Sequence, residues 1–198
     1  HKNRLLDHLL RDAAIDQAVV FTATKREADV LAERLNIAGL NAAPLHGDMP
    51  QGARNRTLNS LRRGHVRILV ATDVAARGID VPTITHVFNY DLPKFAEDYV
   101  HRIGRTGRAG RNGLAVSLAN HGESFQVRRI ERFTRQTIPV EIVPGHEPTR
   151  RPPESRRPAR PAKGGRPQWQ DDKPRAHGHK PSGGRPGSTA PRSDKRPT

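Results

Sequence analysis

The chain has 198 residues and a formal net charge of +15, with 33% hydrophobic and 4% aromatic residues. That length suits one compact domain plus a tail, or two very small domains, and that charge calls for a polyanion such as nucleic acid, nucleotide or anionic membrane. No apolar run nears the ~20 residues of a membrane span, and with no cysteine there is neither a disulfide framework nor a thiolate metal site.

The first residues, His-Lys-Asn, include neither Met nor an apolar leader, so the chain is expected to be a piece of something longer. Leu5, Leu6, Leu9 and Leu10 predict an opening helix whose leucines are core. AVVFT at 18–22 predicts a short buried strand. Thr24 with Glu27 three residues later forms a capping box, and Ala28, Leu31, Ala32 and Leu35 carry the helix towards Gly39. AAPL at 42–45 predicts a second strand. Asp48 is expected to cap a helix that begins near Pro50 and ends at Gly64. RILVAT (67–72), ITHVFNY (84–90) and LAVSL (114–118) read as strands, with helices near 94–103 and 123–134 and a last strand at VEIV, 140–143. Strands joined by helices and apolar at nearly every position predict an α/β fold, a parallel sheet covered on both faces. Ligands of such sheets gather at the C-terminal strand ends.

Composition breaks near Val143. Residues 144–198 hold 12 of the 17 prolines and 14 of the 35 lysines and arginines against five acidic residues, a net +9. Trp169 is the segment's one large apolar side chain. The expected organisation is a domain over 1–143 and a disordered, basic Arg/Pro/Gly-rich tail over 144–198. HGH at 177–179 lacks carboxylate or thiol partners, so no metal site is expected. Trp169 reads as incidental rather than as a base-stacking platform.

The charged and glycine-rich segments fall between these elements. ATDVAARGID (71–80), FTATK (21–25) and HGDM (46–49) leave strand ends; HRIGRTGRAG (101–110) follows a helix and sets Arg102, Arg105 and Arg108 three residues apart. Read by itself, that stretch is compatible with a solvated basic loop. ATDVAARGID and HRIGRTGRAG together resemble motifs V and VI of the DEAD-box RNA helicases. VVFTATK resembles motif IV, Gln51 to Arg54 the family's Gln-x-x-Arg element, and VFNYDLP (87–93) the segment between motifs V and VI.

The resemblance spans roughly residues 1–143, the second RecA-like domain of such helicases, and implies a RecA-like three-layer sandwich. It implies that Arg108 is an arginine finger, that Arg105 meets the γ-phosphate, and that His101 couples the cleft to the magnesium-site loops of the first domain. Gly78 would let backbone approach the ATP phosphates, and Asp80 would accept a hydrogen bond from the ribose. Thr24, Gln51, Arg54 and Thr72 would hold the RNA sugar–phosphate backbone, and Arg77 would make an interdomain salt bridge. Each has a plainer alternative: Thr24 as a helix cap, Thr72 and Asp73 as a cap pair, Arg54 as a solvated helix residue. His46 reads as structural.

No G-x-x-x-x-G-K-[ST] and no Asp-Glu-Ala-Asp occurs in the chain. A phosphate cradle and magnesium carboxylates hold the nucleotide in this chemistry, so ATP and Mg2+ are expected to be held mainly by an N-terminal RecA-like domain outside this chain. The expected partners are RNA and that domain, with no membrane, in a monomeric cytoplasmic protein. The competing readings are a non-catalytic RNA-binding or annealing module acting through the tail and a DNA-translocating helicase relative.

Overall fold

The computed structural model describes residues 1–108, 110 and 112–147; the expected disorder after residue 147, the HGH segment and Trp169 lie outside the described residues. Helix α1 (Lys2–Leu10) leads into strand β1 (Gln17–Phe21), followed by α2 (Lys25–Ile37), β2 (Ala42–Leu45) and α3 (Gln51–Arg62). Then come β3 (Ile68–Ala71), the short α4 (Asp73–Ala76), β4 (Ile84–Asn89) and α5 (Ala96–Ile103). Strand β5 (Leu114–Ser117), a 3-10 turn (His121–Glu123) and α6 (Ser124–Thr134) complete the set. The strands lie in the order β2-β3-β1-β4-β5, and every pairing between them is parallel.

Alternate residues of the same strands seal the two faces, which is why these strands read as largely apolar runs. Ala18, Val20, Ile68, Val70 and Phe88 pack with Leu6, Leu10, Leu31 and Leu35 from α1 and α2. Val19, Phe21, Leu69, Ala71 and Val87 pack with Leu61, Ala75, Ala76 and Ile79 on the other side. The result is the expected three-layer α/β sandwich. A smaller cluster of Leu92, Ala96, Tyr99 and Ile130 joins α5 to α6.

Two local expectations fail. Asp48 does not cap α3; Pro50 takes the N-cap position without a side-chain hydrogen bond, and Asp48 pairs with Lys25 Nζ at 2.5 Å, tying the loop after β2 to the start of α2. Asp48 stands two residues before the N-cap, too early to reach the first free amides. VEIV forms no strand: Val140 and Ile142 are 88% and 63% exposed. The chain there is drawn to α6 instead, where Glu131 Oε1 accepts from the Ile138 amide at 2.9 Å and Ile138 packs against the α5–α6 cluster. No helix among the described residues is long and apolar enough to cross a membrane.

Candidate functional site

The chain steps from β3 over β1 to reach β4, so the connections leaving β1 and β4 diverge to opposite faces. A crevice outside the strand ends is expected at such a point. Arg102 fills it. In α5, Ala96, Tyr99 and Arg102 recur every third residue and share the buried face, leaving Arg102 2% exposed. Its Nε and Nη2 donate to the two carboxylate oxygens of Asp73, at 2.5 and 2.8 Å. Its Nη1 donates to Asn89 Oδ1 at 3.1 Å and to the Asp91 carbonyl at 2.5 Å. The guanidinium carbon lies 4.8 Å from the centre of the Phe21 ring. One buried cation thus joins the ends of β1, β3 and β4. Burial of that charge is tolerable because nearly all its donors are satisfied.

Sequence reasoning missed Arg102 and Asp73 as a pair, since it gave roles to Arg105 and Arg108 but none to Arg102, and gave Asp73 only a capping role. The signal was available: the 96–99–102 spacing puts the first arginine on the apolar stripe, where it needs a carboxylate.

From this anchor the next two arginines turn outward. Arg105 Nη1 donates to the Ile79 carbonyl at 2.9 Å and its Nε to the His101 carbonyl at 3.1 Å. Arg108 Nε donates to the Gly104 carbonyl at 2.7 Å, and its Nη1 meets Asp80 Oδ1 at 2.9 Å. Both side chains are half-buried and keep an open flank. Burial lowers the Arg105 pKa, helped by the like charge of Arg108 and opposed by Asp80; a guanidinium nevertheless stays charged. Gly78 holds φ +78 in the turn beneath them, a backbone region that L side chains rarely adopt. The structure therefore brings together 77–80 and 101–108, two segments with no contact in sequence.

Arg77 and His101 lie 3.8 and 3.9 Å from Asp98 and are both largely exposed. The depression beside Arg77, His101 and Arg105 has room of about 20 Å³, about one water. An anion reaching these cations meets an open face rather than a pocket.

Gly113 supports the arginine segment from behind. A Cβ there would stand 2.4 Å from both the Gly107 amide nitrogen and Thr106 Oγ1, while Thr106 Oγ1 donates to the Ile84 carbonyl at 2.8 Å. Backbone cannot yield as a side-chain tip does. Gly113→Ala is expected to destabilise the domain by about 1–3 kcal/mol, read as a lower thermal melting midpoint.

The residues assigned to RNA sit on the other half of the same sheet edge, following β1, β2 and β3, which are neighbours. Thr24 realises its capping role: Oγ1 accepts from the Glu27 amide at 3.2 Å and donates to Glu27 Oε2 at 2.8 Å. Gln51 Nε2 donates to Asn55 Oδ1 at 3.1 Å. Arg54 is half-buried with its Nε unpartnered among the described residues. Thr72 is buried just before α4, and its hydroxyl makes no capping bond. His46 is structural in the way expected: buried, with Nε2 2.8 Å from Asp29 Oδ1. Burial pushes the Asp91 carboxyl up, partly offset by the Ala23 amide that donates to it. Among the described residues no three His, Asp or Glu side chains gather as a metal site.

The family described as helicase conserved C-terminal domain matches residues 1–110. Over 153 residues the chain is 42% identical to the ATP-dependent RNA helicase SrmB of Escherichia coli (strain K12), covering 77% of this chain and 34% of SrmB. It is 46% identical over 145 residues to RhlB of Pseudomonas syringae pv. tomato, an ATP-dependent RNA helicase, covering 73% of this chain and 36% of RhlB. The chain thus spans about a third of the length of these curated relatives. Among solved structures, E. coli SrmB bound to regulator of ribonuclease activity A superposes with a TM-score of 0.73 at 42% identity, over 77% of this chain and 90% of that one. S. cerevisiae Dbp5 bound to RNA and ADP BeF3 gives 0.62 at 40% identity, over 67% and 36%. With a parallel five-stranded sheet, motif-bearing loops and these likenesses in agreement, the chain belongs to the helicase conserved C-terminal domain family, as the RecA-like C-terminal domain of the DEAD-box RNA helicases.

Proposed function

We propose that this chain is the second motor domain of an ATP-dependent RNA helicase and delivers positive charge to a triphosphate held by a first RecA-like domain. The observation that carries the reading is the pair Arg105 and Arg108, anchored on the backbone carbonyls of Ile79, His101 and Gly104 and on the Asp80 carboxylate, yet open on one flank. Phosphoryl transfer spreads negative charge over the γ-phosphoryl oxygens, and a guanidinium answers it with parallel donors and a permanent charge. In this reading Arg108 is the finger and Arg105 a γ-phosphate contact. Asp80 takes the ribose, Gly78 lets backbone approach the phosphates, and His101 and Arg77 meet the facing domain.

The ATP and its Mg2+ are held chiefly by that domain. Thr24, Gln51, Arg54 and Thr72 face the RNA backbone, with Thr24 serving as cap and contact together. Because the grip is on phosphates and sugars, binding is sequence-tolerant. Domain closure on ATP and RNA bends the bound strand and melts a local duplex, and hydrolysis resets the state, in a monomeric cytoplasmic protein.

The test is phosphate release. The purified chain is expected to hydrolyse no ATP, with or without RNA. Joined to a DEAD-box first domain, it is expected to restore RNA-stimulated release. Magnesium-dependent hydrolysis by the chain alone would overturn the division of labour.

A further inference from the structure

Helix α6 presents a face that the motor reading does not use. Phe125, Arg128, Arg129, Arg132 and Phe133 recur at helical spacing, and all five are exposed. The two phenylalanines are 68% and 49% exposed on a helix whose opposite side, through Ile130, is core. None of the three arginines has an ion-pair or hydrogen-bond partner among the described residues. Arg129, Arg132 and Phe133 also line an open groove of about 350 Å³ against Ala96 and Glu97 of α5. Glu97 is the one carboxylate on that groove; Glu131 of α6 turns to the Ile138 amide.

We infer that this face of α6 is a second RNA-binding surface, which takes a single strand with its phosphates on the arginines and its bases on the phenylalanines. Three chemical facts converge on that occupant. Uncompensated guanidiniums in a row fit a polyanion. Arg128 and Arg132 stand one helical turn apart, about 6 Å, a step suited to successive phosphates of a stretched strand. Exposed aromatic rings at both ends of the row supply the sequence-tolerant stacking that single-strand binders use. An acidic protein segment would satisfy the arginines but leave both rings in water. Chain order adds a fourth: α6 ends at Thr134, and the strongly basic segment begins ten residues later, at residue 144.

The inference rests on RNA being the partner proposed above, and the experiment separates the two. The full chain is titrated into a labelled oligouridine without nucleotide, by fluorescence anisotropy, from about 50 to 200 mM salt. The variant Arg128→Gln/Arg129→Gln/Arg132→Gln is expected to bind at least about tenfold more weakly at low salt. Its plot of log K against log salt is expected to be shallower by about 2, since each lost phosphate contact on a single strand removes ~0.7. The variant Phe125→Ala/Phe133→Ala is expected to lose at least about fivefold with its salt slope unchanged. Both should melt at the wild-type midpoint, because all five side chains are on the surface. If the wild type binds oligouridine and either variant matches it, this surface is wrong while the RNA reading stands. If the wild type fails to bind, both fall. Loss of a polyglutamate peptide with oligouridine binding retained assigns the face to an acidic protein and also overturns the inference.

Discussion

Arg108→Ala, placed in a protein that joins this chain to its nucleotide-holding domain, is expected to lower RNA-stimulated ATP turnover by ~10³–10⁵-fold, about 4–7 kcal/mol of barrier. Arg108→Lys is expected to recover little, because a point charge cannot supply two parallel donors. The structure leaves Arg108 available for the proposed role. Its partner in the free domain, Asp80, has a side chain 78% exposed, against 32% for Arg108. Such a surface pair is worth ~0–1 kcal/mol. Exchange of Asp80 for a phosphoryl oxygen therefore costs a small fraction of what the transition state gains. Steady-state kinetics at saturating RNA and ATP checks the prediction; unchanged turnover would remove the finger assignment.

A larger effect on stability is expected at Arg102. Removing one partner of a buried ion pair costs ~3–5 kcal/mol, because the survivor is left unpaired. Arg102→Ala leaves Asp73, Asn89 Oδ1 and the Asp91 carbonyl without their donor. The Asp73 side chain is 31% exposed, so water recovers part of the loss and the effect should fall near ~3 kcal/mol. For a domain of this size that is a drop in melting midpoint of roughly 6–12 °C. Arg102→Lys should fall between, since an ammonium cannot chelate both Asp73 oxygens and still reach Asn89 and Asp91. The double variant Arg102→Leu/Asp73→Leu tests the cause. It is expected to be more stable than Arg102→Leu alone, because it removes the orphaned carboxylate too. A midpoint for Arg102→Ala within a degree of wild type would refute the anchoring role.

How far the residues alone reached can be judged element by element. The strands were legible because most of them are short, largely apolar runs between turn residues, the pattern of a covered parallel sheet. The start of helix α2 was legible to the residue, since Thr24 and Glu27 satisfy each other's backbone amides locally. VEIV misled because strand propensity is not strand formation: it makes no ladder with β5, and Ile138 is committed to α6 instead. Asp48 misled because its charge found Lys25, 23 residues away, a partner no local rule reveals. The α4 turn went unread, being a single four-residue turn with no periodicity to detect.

What the sequence determined by itself was therefore what short-range chemistry decides: the order of elements, the sheet type, the two motif loops and the absence of a phosphate cradle. The tertiary structure decided which partner each of the three evenly spaced arginines meets. Helical phase turns Arg102 inward to a carboxylate 29 residues earlier, while the chain beyond α5 sets Arg105 and Arg108 outward over Ile79 and Asp80. The physical reason is that a charge's role is set by which groups the fold brings within a few ångströms of it and by how much water remains there, and neither is a property of its neighbours in the chain.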